Sequence, residues 1–412
     1  MVDTHGKGAG IKMEYDPYEI DITDLVLYLN DYCNMNCRHC YYRQGNHTID
    51  TRWIQEAVDN LPNIKKAVIV GGEPTICPVL EEAVDILKSK NIAVTMSTNC
   101  KWMTWGKQEK NTGGTNNEQE YWQTKKREEE DHMKQGERKR SYTDVLDMIK
   151  NIDVIQISLE GPPQINDSIR EEGSYMNSMD AIDFLKQNGY EKYPESTRKG
   201  YTGKRMFIRM TYSEFNLRAI PRMLRLAWIK HLPIVFFPLK SDTQPPLTST
   251  QQVQLYNLLM KYSTDDGRRL AMSAVPQYWT YMGDTESYCP AGKHRINILP
   301  DGWVTPCEMN MPPIFDKLYN MEKNNGELDI DKLYRNIDYF LRNIKTVDDG
   351  CINCPHHRIC RSGCLMTNEY LKCPLREQID FSYFGDRIGV STGQRMKRVG
   401  QLNTIIERAF VC

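Results

Sequence analysis

The chain has 412 residues and a formal net charge of −1, from 53 lysines and arginines against 54 aspartates and glutamates. This balance gives no sign of a nucleic-acid-binding surface or of attraction to an anionic membrane. No apolar run is long enough to cross a bilayer, and residues 1–20 lack the apolar core of a secretion signal. We therefore expect a cytoplasmic protein with no nucleic-acid and no membrane partner, large enough for an α/β unit and a smaller one.

Short apolar runs alternate with longer amphipathic stretches from residue 25 to about residue 262. This alternation predicts right-handed βαβ units around a parallel sheet. Six such units predict an α/β fold with a partial (β/α)6 TIM-like barrel. The predicted strands are Leu25–Leu29, Ala67–Val70, Ile92–Met96, Val154–Ser158, Met206–Met210 and Pro233–Leu239. The predicted helices are Val79–Lys90, Met179–Asn188, Arg218–Lys230 and Thr250–Tyr262.

The segment 101–140 interrupts this alternation, because it contains no Leu, Ile, Val or Ala and is densely charged. Such a composition cannot bury a core and predicts a polar insertion. Its aromatic residues are unexpected in a solvating segment, so a lid over the substrate is an alternative to an ordinary surface insertion. These residues are Trp102, Trp105, Tyr121 and Trp122.

Cys33, Cys37 and Cys40 follow the first predicted strand at the spacing C-x3-C-x2-C. Active sites of such barrels collect at the carboxyl ends of the strands. Three thiolates can hold three irons of a four-iron cluster and leave the fourth iron open to a small molecule, whereas a structural site normally has four protein ligands. The alternative is a zinc knuckle completed by His39 or His47.

Polar motifs also end the next predicted strands. Gly71-Gly72-Glu73-Pro74 follows the second strand, where the glycines let a ligand approach the backbone and the proline fixes the turn. The segment 97–99 ends the third strand, and 158–162 ends the fourth. Arg209, inside the fifth strand, either faces the cavity and meets a carboxylate or lies at the sheet edge.

Seven of the thirteen cysteines lie between residues 289 and 373. In a chain without a secretion signal, this number favours metal ligands over disulfides. Asp301-Gly302 suits a tight turn with positive φ, so 294–306 is predicted to be a β-hairpin. Two zinc ribbons would need four cysteines each, and seven do not divide that way. The seven are Cys289, Cys307, Cys351, Cys354, Cys360, Cys364 and Cys373.

Taken together, these motifs resemble those of the radical S-adenosylmethionine (SAM) enzymes that carry a SPASM extension, over nearly the whole chain. The resemblance implies a [4Fe–4S] cluster on the first three cysteines, whose free iron binds SAM. It also implies reductive cleavage of SAM to a 5′-deoxyadenosyl radical. Three residues depart from the family pattern: His39 replaces an aromatic residue, Glu160 an aspartate and Asn166 a histidine.

The resemblance also implies which residues bind SAM, and Glu73 would contact its methionyl amine. Arg170 is expected to order its loop through ion pairs instead. The implied cofactor-binding residues are Gly71, Gly72, Glu73, Pro74, Ser97, Asn99, Ser158, Arg209 and His39.

By the same resemblance, the later cysteines hold two auxiliary [4Fe–4S] clusters, three clusters in all. Cys351, Cys354, Cys360 and Cys373 would hold the distal one. Cys289, Cys307 and Cys364 would hold the nearer one, with an open or non-cysteine fourth position. Glu308, directly after Cys307, is the candidate catalytic base, and a solvated or ion-paired glutamate is the alternative. Cys77 could donate hydrogen to a substrate radical, although a buried core residue is the simpler reading.

The resemblance further divides the chain and suggests its substrate. The predicted divisions are an N-terminal extension (1–22), the radical SAM barrel (23–265) with its insertion (101–140), the SPASM domain (266–380) and a helical tail (381–412). The expected substrate is a peptide or protein, modified by a thioether, C–C or C–O crosslink or by dehydrogenation, as in ribosomal-peptide maturation.

The expected partners include a reductant such as flavodoxin or ferredoxin. Since only 32 residues precede Cys33, recognition of a leader peptide is expected from a separate leader-peptide-binding protein or from elsewhere on this chain, with the 101–140 insertion as one candidate. Three alternatives remain open. They are a sulfatase-type protein maturase, a radical SAM enzyme acting on a small molecule in cofactor biosynthesis, and a non-catalytic iron–sulfur electron-transfer protein.

Overall fold

The structure is a computed structural model. It describes residues 20–40, 42, 45–104, 147–190, 203–239, 247–264, 271–273, 290–307 and 317–344. Within these residues, a ten-stranded sheet has the order β10-β9-β8-β1-β2-β3-β4-β5-β6-β7. In chain order the strands are Asp24–Tyr28, Lys66–Val70, Ala93–Thr98, Val154–Ser158, Arg205–Tyr212, Ile234–Pro238, Ala271–Ser273, Arg295–Ile298, Trp303–Thr305 and Tyr319–Asn320.

The α/β architecture predicted from the sequence is confirmed. Strands β1 to β7 pair in parallel, each with the next along the chain. All six predicted strands form, with small shifts at their ends, because each is a short and mostly apolar run that is largely buried. The helices α1 to α7 are Thr51–Asn60, Leu80–Ser89, Pro163–Ile169, Ser174–Gln187, Ile220–Lys230, Ser249–Thr264 and Ile330–Tyr339.

The core lies between the sheet and the helices that cover its outer face. Helix α1 illustrates how the sequence forms these elements. Asp50 caps it by accepting a hydrogen bond from the Arg52 amide at 2.9 Å. One stripe of the helix, Trp53, Ile54, Ala57 and Val58, is then buried against the sheet.

Four strands, β7 to β10, extend the described sheet beyond the six strands predicted for the barrel. Strand β7 pairs in parallel with β6, and β8 pairs in parallel with β1 on the opposite edge. The predicted hairpin is confirmed in β8 and β9, which pair antiparallel around Asp301-Gly302, with Gly302 at a φ of 78°. The division of the chain at residues 265/266 stays a prediction.

The start of the 101–140 segment belongs to the core, contrary to what its composition suggests. Residues Lys101–Thr104 form a 3₁₀ turn in which Trp102 is fully buried and packs edge-on against Phe184, 5.8 Å between ring centroids. The buried ring of Trp102 therefore provides apolar contact area, although the segment contains no Leu, Ile, Val or Ala. The remainder of this insertion, from Trp105 to 140, lies outside the described residues.

No helix among the described residues is both long and apolar enough to cross a membrane.

Candidate active site

A cavity opens at the carboxyl ends of the parallel strands, where the sequence motifs were expected to meet. Most of the predicted site residues of the barrel line it: the three cysteines of the first motif, His39, Gly71 to Pro74, Ser97, Asn99, Ser158 and Arg209. Parallel strands end at one edge of a sheet, so residues far apart in sequence converge there. The site is therefore assembled from five consecutive strands and the loops that follow them.

The three cysteines sit on one long loop after β1, which we call the cluster loop (residues 31–48). Its two ends are held together by Asp31. The Asp31 carboxylate accepts a hydrogen bond from the His47 amide at 2.7 Å and contacts His47 Nδ1 at 2.6 Å. The Gly45 amide donates to the Asp31 carbonyl at 2.9 Å. The loop is thus closed at its base before any cofactor binds.

Burial makes the thiols of this loop weak acids. Burial raises the pKa of Cys33 to about 12, and the nearby charge of Glu73 adds to this effect. Burial likewise raises the pKa of Cys37 and of Cys40, although Arg170 opposes the shift at both. Thiolates in this setting need a compensating positive centre, which an iron–sulfur cluster supplies.

Each histidine of the zinc-knuckle alternative has one ring nitrogen paired with a carboxylate. His47 is paired with Asp31, and His39 Nε2 lies 3.3 Å from the Glu160 carboxylate. Among the described residues, no three Cys, His, Asp or Glu side chains converge closely enough to hold a single metal ion. A four-iron cube separates its ligand sulfurs more widely than one ion does, so the three thiols around one cavity fit the cluster better.

Gly71 and Gly72 let the end of β2 approach the cluster loop. A Cβ atom on Gly72 would lie 1.8 Å from the Tyr32 carbonyl oxygen, and one on Gly71 would lie 2.5 Å from the Asn30 carbonyl oxygen. Gly71 also has a φ of 146°, which favours glycine. The close approach allows two backbone hydrogen bonds. The Gly72 amide donates to the Asn30 carbonyl at 2.9 Å, and the Glu73 amide donates to the Tyr32 carbonyl at 3.1 Å.

The Glu73 carboxylate is 1 % exposed and accepts hydrogen bonds from neutral groups. Its Oε1 accepts from the hydroxyls of Thr75 at 2.7 Å and Thr98 at 2.8 Å, and its Oε2 accepts from the Asn99 amide at 2.8 Å. Burial raises the pKa of Glu73 despite these bonds. No lysine, arginine or histidine among the described residues forms an ion pair with it, so a cationic ligand would relieve its burial.

Two predicted cofactor contacts lie on β3, and both also have protein partners. The Ser97 hydroxyl donates to Gln156 Oε1 at 2.8 Å. Asn99 lies against the cluster loop, with its Nδ2 3.7 Å from Cys33 Sγ and 2.8 Å from Asn34 Oδ1. Asn99 thus contacts a cysteine of the motif as well as lining the cavity.

Glu160 is a second buried carboxylate, and its surroundings are cationic. Its Oε1 lies 3.3 Å from both His39 Nε2 and Arg170 Nε, and its Oε2 accepts from the Thr211 amide at 2.7 Å. Burial alone would raise its pKa, but the charges of His39 and Arg170 and the hydrogen bonds outweigh burial, so the pKa of Glu160 is lowered. The expectation that Arg170 orders its loop through ion pairs agrees with this geometry.

Asn166 joins the same network as a backbone anchor. Its Oδ1 accepts a hydrogen bond from the Glu160 amide at 2.8 Å, and its Nδ2 donates to the Ser174 hydroxyl at 2.8 Å. It is fully buried, so it positions the end of β4 and does not line the cavity.

Arg209 lines the cavity and does not lie at a sheet edge. Its guanidinium stacks on the Phe237 ring at 4.0 Å from the centroid, and its Nη1 donates to Gln156 at 3.4 Å. Ser158, on the neighbouring strand β4, pairs in register with Arg209 and lines the same cavity. One wall of the cavity is therefore polar and carries a positive charge.

Another group of lining residues is aromatic and apolar, which the motifs did not indicate. Tyr28 and Tyr42 lie 5.2 Å apart between ring centroids, next to Val70. The motifs also gave no indication of Gln156, whose Oε1 accepts hydrogen bonds from both Ser97 and Arg209. The period-2 alternation of strands β1 and β4 could have placed Tyr28 and Gln156 on the inner face.

Several buried polar atoms around the cavity lack a hydrogen-bond partner among the described residues: Asn30 Oδ1, His39 Nδ1 and Arg170 Nη1. Such atoms are rare in a finished interior, and they fit a site that a polar cofactor completes. Together with three low-acidity thiols and an unneutralised Glu73, they fit an iron–sulfur cluster and a zwitterionic ligand.

Cys77 and Cys100 lie outside the cysteine motifs, and the C-terminal array is described only in part. Cys77 is buried, with its sulfur 3.6 Å from the Leu29 carbonyl oxygen, as expected of a core residue. Cys100 is buried at a φ of 64°. Cys307 is described at the end of the hairpin. The other predicted residues of the array, Cys289, Glu308, Cys351, Cys354, Cys360, Cys364 and Cys373, lie outside the described residues.

Comparisons with known proteins agree with this site. The family model of the radical SAM superfamily matches residues 27–110, which include the cysteine triplet and the glycine turn. This segment of the chain is therefore similar to the radical SAM superfamily. A mycofactocin maturase of Mycobacterium tuberculosis is 25 % identical over 358 residues, which are 83 % of this chain and 78 % of that protein.

Two solved structures share the fold. The structure of SuiB from Streptococcus suis bound to S-adenosylmethionine has a TM-score of 0.58 at 16 % identity, covering 86 % of this chain and 76 % of that one. The structure of anSMEcpe with bound AdoMet and Cp18Cys peptide has a TM-score of 0.57 at 13 % identity, covering 94 % and 97 %. At these identities, the two structures show that the fold is shared.

Proposed function

We propose that this radical SAM enzyme oxidatively modifies a side chain of a peptide or protein, in ribosomal-peptide maturation. The observation that carries the proposal is the convergence of three buried thiols, the Gly71-Gly72 turn and a polar wall on one cavity. The similarity to a mycofactocin maturase supports a peptide substrate. So does the fold shared with SuiB, which has also been solved with its precursor peptide SuiA.

We assign the cofactor sites as follows. Cys33, Cys37 and Cys40 would hold the [4Fe–4S] cluster. When bound there, the cluster and SAM supply a reductively generated 5′-deoxyadenosyl radical, which can abstract hydrogen from an unactivated carbon. The residues assigned to SAM are Gly71, Gly72, Glu73, Pro74, Ser97, Asn99, Ser158, Arg209 and His39.

The charges of the cavity fit the two ends of an amino-acid group. Glu73 offers a buried carboxylate without a cationic partner among the described residues, so it would attract an ammonium group. Ser158 and Arg209 on the polar wall would receive a carboxylate. The apolar lining residues Tyr28, Tyr42 and Val70 would exclude water from the reacting carbon.

The later cysteines are proposed to hold two auxiliary clusters, one on Cys289, Cys307 and Cys364 and one on Cys351, Cys354, Cys360 and Cys373. The oxidised substrate must also release a proton. We propose Glu308, directly after Cys307, as its acceptor. A crosslink of the thioether, C–C or C–O type, or a dehydrogenation, would then remove two hydrogens from the peptide.

Two partners complete the proposal. A small reductant such as flavodoxin or ferredoxin would deliver electrons to the cluster loop. A separate leader-peptide-binding protein would present the substrate.

The test is mass spectrometry of candidate precursor peptides, encoded beside the gene, after incubation with reconstituted protein, SAM and dithionite. The proposal predicts a peptide lighter by two hydrogens and an equivalent amount of 5′-deoxyadenosine. A Glu308→Gln variant should still form 5′-deoxyadenosine but yield less oxidised peptide. Production of 5′-deoxyadenosine with unchanged mass for every peptide would contradict the proposed substrate class.

A further inference from the structure

Asn99 lies at the end of β3 with its side-chain amide against the first cysteine of the triplet. Its Nδ2 is 3.7 Å from Cys33 Sγ and also donates to Asn34 Oδ1 at 2.8 Å. Asn99 is only 7 % exposed. Among the described residues, it is the one side chain that donates a hydrogen bond to a thiol of the triplet.

The direction of the Asn99 amide is fixed by its other end. Its Oδ1 accepts a hydrogen bond from the Lys101 amide at 2.8 Å. A flipped amide would place an NH₂ group against that N–H donor and an oxygen against Asn34 Oδ1, losing both bonds. The NH₂ group is therefore the end that faces the sulfur.

Both the donor and the acceptor are held in place independently of this contact. The backbone amide of Asn99 donates to Glu73 Oε2 at 2.8 Å. The Lys101 ammonium group, two residues on, donates to the Asn34 carbonyl at 2.7 Å. These bonds join the end of β3 to the cluster loop next to Cys33, so the N–H···S geometry does not depend on a single flexible side chain.

We propose that Asn99 is a positioning residue that raises the reduction potential of the cluster held by Cys33. This rests on the proposed assignment of that cysteine as a cluster ligand. Reduction adds negative charge to the cluster and its sulfurs, so a donated N–H stabilises the reduced state more than the oxidised state. The nearby Glu73 carboxylate acts in the opposite direction, since its charge opposes added negative charge at Cys33.

The experiment is a redox titration of the reconstituted full-length enzyme, followed by the part of the electron paramagnetic resonance signal that responds to SAM. That part distinguishes the SAM cluster from any other cluster. The variants are Asn99→Ala, which removes the donor, and Asn99→Leu, which keeps a similar side-chain volume without an N–H and without adding a charge. Asn34→Ala is the matched control, because it removes the other partner of Nδ2 and leaves the sulfur contact.

Both Asn99 variants should be harder to reduce at full iron content. The potential changes only by the difference in strength of this hydrogen bond between the oxidised and the reduced cluster. We therefore expect a change of up to about tenfold in the reduction equilibrium, or about 59 mV for a one-electron couple. Asn34→Ala should titrate like the wild type.

Three outcomes separate this inference from the proposed function. If Cys33→Ala keeps the SAM-responsive signal, the cluster assignment itself fails. If the wild type shows the signal and both Asn99 variants titrate at its potential, the inference about Asn99 is overturned. Poor iron loading of both Asn99 variants would also overturn it, because Asn99 would then hold the loop together without tuning its potential.

Discussion

Two buried glutamates at the same cavity have opposite electrostatic surroundings. Glu73 accepts hydrogen bonds only from neutral groups, and burial raises its pKa. Burial also acts to raise the pKa of Glu160, but His39 and Arg170 lower that pKa overall. The first carboxylate is therefore available for a cationic ligand. The second already has its counter-charges and serves to join the cluster loop to β4 and β5.

Replacing Glu160 should destabilise the protein strongly. Glu160→Gln removes the charge that pairs with buried Arg170, and breaking a buried ion pair costs about 3–5 kcal/mol. Glu160→Asp, which restores the family's residue, keeps the charge but is shorter and should lose less. Urea unfolding measures both free energies.

The control for this variant is Asp183→Asn, which breaks the more exposed pair with Lys230 and should change stability by about 0.5 kcal/mol or less. Equal losses for the two charge-removing variants would contradict the role assigned to Glu160.

Gly72→Ala should prevent the cluster loop from docking. The new Cβ would lie 1.8 Å from the Tyr32 carbonyl, and a backbone atom cannot give way as a flexible side chain can. We expect a large loss of iron after reconstitution, measured by iron analysis per protein. Gly189→Ala is the matched control, because Gly189 has a φ of 85° but no atom within 4 Å of an added Cβ. Normal iron loading of Gly72→Ala would be inconsistent with the close approach described here.

At the scale of single residues, the sequence indicated the candidate ligands. It did not indicate the residues that hold them in position. Cysteines and glycines are recognisable because their chemistry and spacing are local. The His39–Glu160–Arg170 contact joins three separate elements, and the departures at His39 and Glu160 looked unrelated until the structure brought them within 3.3 Å. Gln156 has no motif at all, since its role arises from β3 and β5 on either side.

The cluster loop is the element whose stability should depend on pH. The hydrogen bond from Asp31 raises the pKa of His47 above its ordinary value. A histidine with a raised folded-state pKa stabilises the fold fully below its unfolded pKa, about 6.5, and this contribution is lost as the pH rises through the folded value. The side chain is largely exposed, so solvent reduces the effect.

We therefore expect the wild type to be more stable than His47→Gln at pH 5.5, with the difference shrinking as the pH rises above 6.5. Thermal unfolding at a series of pH values measures it. His231→Gln serves as the control, since His231 is exposed and outside the loop. A difference that grows with rising pH would contradict the His47–Asp31 contact.

Strands were predictable where the hydrophobic pattern of the sequence was strong and where each strand pairs with the next one along the chain. The six predicted strands are short, mostly apolar runs, and each pairs with the next along the chain. Strand β7, Ala271–Ser273, is too short to give a periodic signal. Strand β8 was expected in a hairpin, but its pairing with β1 joins residues that are far apart in sequence, which no local pattern encodes.

At the scale of the molecule, β8 carries the later part of the chain onto the edge of the barrel. The Asp24 carboxylate at the start of β1 lies 3.4 Å from Arg295 Nη2 of β8 and 3.2 Å from Lys66 Nζ of β2. Asp24 and Arg295 are both buried. This ion pair therefore fixes the position of the hairpin that ends at Cys307 relative to β1.

Arg295→Met should leave Asp24 buried with one of its two cations and cost about 3 kcal/mol of unfolding free energy. Urea unfolding followed by circular dichroism measures the loss. The double variant Asp24→Leu, Arg295→Met should recover part of it, because it removes both charges. If the double variant is as unstable as the sum of the two single variants, the two residues do not act as a pair.

The central claim is that Cys33, Cys37 and Cys40 hold the cluster that cleaves SAM in this cavity. The most direct measurement is chromatographic quantification of 5′-deoxyadenosine after anaerobic incubation of the reconstituted protein with SAM and dithionite. The account predicts 5′-deoxyadenosine from the wild type and none above background from Cys33→Ala, Cys37→Ala or Cys40→Ala. Undiminished 5′-deoxyadenosine from any of these variants, or none from iron-loaded wild type with a peptide substrate present, would contradict it.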